Sequence, residues 1–113
     1  MGKLITSKLC DAITEAPAHP IIVFVGPNEC LSLSFESSNG ASFSAKVEGS
    51  MSEDFENDSY ITLAGISKAD LSTATGITKA GIYDFGCTGL NFVRVSIDEL
   101  SGGSLTINSA LTD

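Results

Sequence analysis

The chain has 113 residues, of which 42% are hydrophobic and 18% charged, and fourteen acids against six bases leave a net charge of -8. That length holds one ordinary domain, able to bury roughly 65% of its unfolded surface around a single core without metal or disulfide staples, and the apolar content excludes a disordered chain. The cations, Lys3, Lys8, Lys46, Lys68, Lys79 and Arg94, are scattered, so the clustered charge that neutralises phosphates is missing and nucleic acid is not an expected partner.

The acidity reads first as a solubility feature, with steering toward a basic partner as the alternative. Residues 1–19 differ from the rest. Met1-Gly2-Lys3-Leu4-Ile5-Thr6 fits the loose N-myristoylation pattern, but no polybasic second signal accompanies it. Lys8 and Asp11 interrupt the apolar stretch Leu4–Ile13, so no signal-peptide core forms. No run approaches about eighteen apolar residues, and a membrane is not expected. Leu4, Ile5, Leu9, Ala12 and Ile13 fit either a short amphipathic helix or an added strand, with Pro17 and Pro20 separating them from the body of the chain. The expected division is an N-terminal arm over 1–19 and a β domain over 20–113.

From Pro20 the chain alternates short apolar runs with turn residues. Ile21-Ile22-Val23-Phe24-Val25 is a β-branched run closed by Gly26-Pro27-Asn28, and predicts a central strand covered on both faces. Leu31-Ser32-Leu33-Ser34-Phe35-Glu36 alternates strictly, placing Leu31, Leu33 and Phe35 on one face. Asn39-Gly40 then separates it from Phe43-Ser44-Ala45-Lys46-Val47-Glu48, a pattern that predicts a β-hairpin. A polar loop over Gly49–Ser59 leads to a strand at Tyr60–Ala64. The stretch Gly65–Ala80 reads as one helical turn at Lys68–Leu71, or as a long loop with a short strand near Gly76–Thr78. Gly81–Phe85 is strand-like, Phe92–Asp98 turns Val93, Val95 and Ile97 inward, and Ser101-Gly102-Gly103-Ser104 delivers the last strand, Leu105–Asn108. About seven antiparallel, hairpin-linked strands define an all-β sandwich, immunoglobulin-like or jelly-roll-like.

Residues able to carry chemistry are few. His19 is the one histidine and sits in Ala18-His19-Pro20, a poor place to orient a general base, and no Gly-x-Ser-x-Gly elbow is present. A single histidine also removes the usual zinc ligand sets. Cys10, Cys30 and Cys87 are odd in number and far apart. Cys30 and Cys87 fit the spacing of a bridge across a sandwich, but the Trp that packs on such a bridge is missing, which favours free thiols and a reducing compartment. The loop carries Glu53, Asp54, Glu56 and Asp58, weak candidates for Ca²⁺, yet the EF-hand spacing is not met and a solvated connecting loop is the plainer account. As a glycosidase pair these acids lack the aromatic platforms of a sugar cleft. The glycine turns have no following Lys and helix, so no phosphate loop forms. Arg94 is the only arginine, expected outward with a partner in Asp98 or in an acid across the sheet, or as an interface anchor. No enzyme activity and no cofactor are expected.

The run Val47-Glu48-Gly49-Ser50, the acidic loop with its aromatic and Tyr60-Ile61-Thr62-Leu63 resemble small β-sandwich virion proteins of tailed bacteriophages. The same holds for Thr78–Asp84, Thr88–Val95 and Ser101–Ile107. The resemblance covers residues 20–110 and carries over no catalytic residue. It implies a capsid decoration, or cementing, protein that binds the outside of a phage head. Its partners would be the major capsid protein or other virion proteins, and it would form a homo-oligomer, a trimer first. Its place would be the virion, assembled in the host cytoplasm. The alternative it implies is a head-fibre, tail or baseplate domain that contacts carbohydrate or the host surface. Interface candidates are Leu4, Ile5, Leu9 and Ile13 of the arm, Phe55 of the loop, and Phe92 and Arg94.

Overall fold

Strict alternation of apolar and polar residues gives a strand one face for a core and one for water, and the longer strands of this chain are built that way. A computed structural model describes residues 4–38, 40–54 and 59–112. Among them it contains ten strands: β1 (Leu4–Ile13), β2 (Ile21–Phe24), β3 (Cys30–Ser38), β4 (Ser42–Ser50), β5 (Ile61–Thr62), β6 (Gly65–Ser67), β7 (Thr73–Ala74), β8 (Gly81–Gly86), β9 (Phe92–Ser101) and β10 (Ser104–Thr112). The count exceeds the expected seven by β1, which the sequence left open as helix or strand, and by β6 and β7, fragments of two or three residues, too short to show a period.

One sheet has the order β1-β10-β3-β8-β6-β7 and the other β2-β9-β4-β5, with antiparallel pairing throughout. The pairs nest: β1 with β10, β2 with β9, β3 with β8, β4 with β5. This is the order of one long hairpin wound up on itself, the jelly roll, with the β6–β7 hairpin added at one edge. The inward rows are those the alternation predicts. Leu31, Leu33 and Phe35 meet Phe43, Ala45 and Val47 across the sandwich, joined by Tyr83, Phe85, Val93, Val95, Ile97, Leu105 and Ile107. Phe35 stacks on Phe43 and meets Tyr83 edge-on, both at 5.9 Å between centroids, geometries worth roughly 0.5–1.5 kcal/mol each beyond burial.

The expected hairpin between β3 and β4 is absent. β3 pairs with β10 and β8, whereas β4 pairs with β9 and β5, so the turn is an arch that carries the chain from one sheet to the other. Asn39 lies outside the described residues; Gly40 takes a φ of 70°, the left-handed conformation for which glycine is suited. The turn before β10 is likewise an arch from the four-stranded sheet to the six-stranded one. The two arches nest. A Cβ at Gly103 would stand 2.0 Å from the Ser38 carbonyl oxygen, and the hydroxyls of Ser38 and Ser104 hydrogen-bond across the gap.

β2 is not the doubly covered central strand expected of Ile21–Val25 but the edge of the four-stranded sheet. Ile21 and Val23 face the core while Ile22 and Phe24 face outward, Phe24 with 60% of its surface exposed. Residues 4–13 form β1, the other sheet's edge, bulged between Lys8 and Cys10 and again between Cys10 and Ile13. Residues 68–70 form a turn without a helix, with Leu71 at a φ of 62°, and near Gly76–Thr78 only Ile77 bridges, to Ala45. Each sheet edge is thus short or irregular, the usual protection against edge-to-edge association.

Candidate functional site

β9 runs between β2 and β4, so its outward residues lie in rows with theirs. Phe92 stands between Phe24 and Ser50, and Arg94 between Ile22 and Glu48. The Arg94 Nε donates to Glu48 Oε1 at 2.8 Å, and the guanidinium carbon sits 4.2 Å from the centroid of the Tyr60 ring. The acid across the sheet, and not Asp98, is therefore the partner. Phe24 and Phe92 contact at 5.6 Å with a tilt of 59°. Ile22, Phe24, Phe92, Arg94 and Tyr60 make a continuous patch of aromatic and aliphatic surface around a largely covered ion pair.

The electrostatics tie the pair in place. The Glu48 side chain keeps 10% of its exposure and that of Arg94 29%, so the pair is removed from most of its water and the covered Glu48 carboxylate relies on the Arg94 charge. Burial pushes the Tyr60 phenol up, against the lowering effect of the Arg94 charge. Planar, charged Arg flanked by Phe and Tyr is the residue set that anchors protein interfaces.

The predicted interface residues divide between the two sheets. Phe92 and Arg94 come together; Leu4 and Ile5 are exposed on β1, at the edge of the other sheet, while Leu9 and Ile13 pack against the core. Phe55, Glu56 and Asp58 lie outside the described residues. Glu53 and Asp54 are exposed, and among the described residues no group of three or more His, Cys, Asp and Glu side chains gathers to hold a metal. Cys10, Cys30 and Cys87 are free thiols. Cys87 is fully buried, donates to the Asn28 carbonyl at 3.4 Å, and has its pKa raised by burial, then by Cys30. Sequence reasoning missed Ile22, Phe24, Glu48 and Tyr60. Strict alternation in β2 would have marked the first two, but a run of five apolar residues hides it.

The fold and patch define an all-β jelly-roll sandwich with an aromatic, Arg-anchored outer face. No family model matches the chain, and no curated protein matches it. Two solved structures share its fold. The SPBc2 prophage-derived protein YomS superposes with a TM-score of 0.84 at 19% identity, over 100% of this chain and 96% of its own. The PBSX exported protein XepA superposes with a TM-score of 0.85 at 17% identity, over 99% of this chain. The chain spans 38% of the length of XepA. Both neighbours are phage-derived proteins.

Proposed function

We propose that this chain is a non-enzymatic structural protein of a phage particle that docks through the outer face of its four-stranded sheet. The observation that carries the reading is the patch itself: exposed Phe24 and Ile22 beside Phe92, Arg94 and Tyr60, on a chain with no constellation for catalysis in its sequence. Fold likeness to two phage-derived proteins supports the setting, as does the resemblance of residues 20–110 to small virion sandwiches. Three free thiols support folding in the reducing cytoplasm of the host before assembly.

The leading form of the reading is a capsid decoration protein that clamps neighbouring subunits of the major capsid protein, as a homo-oligomer. A tail, baseplate or head-fibre domain is the second form, favoured by the description of one neighbour as exported. Sedimentation with separated heads and tails of the phage that encodes it decides between them. Decoration predicts co-sedimentation with heads and a higher shell melting temperature. Phe24→Ser and Arg94→Ala would each weaken that binding at least tenfold, a loss of about 1.4 kcal/mol or more. Binding to tails alone would overturn decoration, and binding to neither would overturn the virion reading.

A further inference from the structure

The outer face of the six-stranded sheet is the opposite surface of the sandwich, and its side chains are graded in size across the strands. One row runs Thr6, Ala110, Ser32, Asp84, Ile66 over β1, β10, β3, β8 and β6. The next runs Lys8, Asn108, Ser34, Ile82 and closes on Lys68, whose amide donates to the Ile82 carbonyl at 2.9 Å. The two middle strands contribute small residues, while Lys8 on one side and Ile82 and Lys68 on the other stand taller. The result is a trough of about 570 Å³, within the range of roughly 300–1,000 Å³ typical of ligand sites. At about 4.8 Å between strands, the four strands that line it make it roughly 15 Å across.

Its exposed lining is mostly apolar, with a few polar groups, and its charges are paired. Asp84 accepts from the Ser32 hydroxyl at 2.6 Å and pairs with Lys68 at 2.9 Å; Lys8 pairs with Asp11 at 3.6 Å. Both ammonium groups are thus met by carboxylates, leaving no spare positive charge for a phosphate or a polyanion, and the net charge of -8 repels polyanions further. Thr6, Ser34 and Asn108 engage in no side-chain hydrogen bond among the described residues, so two hydroxyls and an amide are presented to the trough. Between them Ala110 and Ile82 supply apolar surface. A floor of methyl groups among hydroxyls and an amide complements a pyranose ring, which has a C–H face and a hydroxylated edge.

We propose that this trough binds a neutral oligosaccharide, laid across β1, β10, β3 and β8. With no aromatic ring in the lining, single-chain affinity is weak, and an array of copies on one particle supplies the avidity. The site stands on the face opposite the docking patch, so its failure and the failure of the virion reading are separate results.

The test titrates the full chain, followed by amide NMR, with maltohexaose, chitohexaose and dextran, and with polygalacturonate as the anionic probe. At least one neutral sugar is expected to shift the amides of residues 6–8, 32–34, 82–84 and 108–110. Ala110→Trp, which fills the trough, abolishes those shifts, and Asn108→Leu weakens binding severalfold, both with otherwise unchanged spectra. If Ala110→Trp disturbs the fold, Asn108→Leu carries the test alone. No shifts with any neutral probe, shifts centred on residues 22–24 and 92–94, or tighter binding of polygalacturonate would each overturn the proposal.

Discussion

At the scale of single residues, Arg94 and Glu48 dominate. Truncating one partner of a covered pair leaves the other charge without its bond, a larger effect than losing an exposed salt bridge. Arg94→Ala is expected to lower unfolding free energy in urea by about 3 kcal/mol, while the Arg94→Leu, Glu48→Leu double variant loses far less; equal losses would show the pair to be solvated. Cys87 gives a second residue-scale expectation. Its raised pKa and full burial hold back the thiolate that reacts. In the native protein at pH 8, Cys87 should be the last thiol labelled by iodoacetamide, catching up with the others only in denaturant. Alternation already pointed Arg94 and Glu48 outward. What it lacked was the register between β4 and β9, which is set across more than forty residues of chain.

At the scale of elements, the Lys68–Asp84–Ser32 chain links β3, β8 and the segment after β6. Burial raises the Asp84 carboxyl, but the Ser32 hydroxyl and the bond and charge of Lys68 outweigh it and hold Asp84 below its ordinary 3.8. A depressed carboxyl contributes stability above its unfolded pKa and loses it as pH falls through 3.8 and then the folded value. Lys68 is raised above its ordinary 10.5 by the same partner, so its share is lost only as pH climbs beyond that. The melting temperature should fall between pH 5 and pH 2, and less steeply in Asp84→Asn; parallel curves would remove the link. Element identity was legible where alternation is strict, as in β3, β4 and β9. It failed at β2, since an edge strand with outward Ile22 and Phe24 reads like a buried one. It failed again at Asn39-Gly40, because a two-residue turn signal reports that the chain reverses, not that the flanking strands pair.

At the scale of the whole molecule, the jelly-roll order leaves hardly any long strand paired with its neighbour in sequence: Leu4 faces Thr112, Ile21 faces Val95 and Ser38 faces Ser104. Such an order follows from pairings that no local window contains, so composition and period reached the sandwich but not its winding. The nested arches are where that winding is fixed, and Gly103 has no room for a side chain against backbone. Gly103→Ala should cost about 2–3 kcal/mol by thermal or urea unfolding; an unchanged midpoint would mean the arches separate easily.

The arches also bear on how fast the fold is reached. A hairpin can zip from its turn within microseconds, but an arch gains no cross-strand bonds of its own and waits for distant strands to arrive. Because each arch here is seated on the other, residues near 40 and near 103 come together only when strands distant in sequence pair, the kind of contact that slows folding in non-local β topologies. Substitutions at the arch contact should therefore slow refolding, whereas those at the exposed Phe24 edge should act on unfolding alone. The six-stranded sheet gains its β1–β10 and β10–β3 pairings only once β10 has been made.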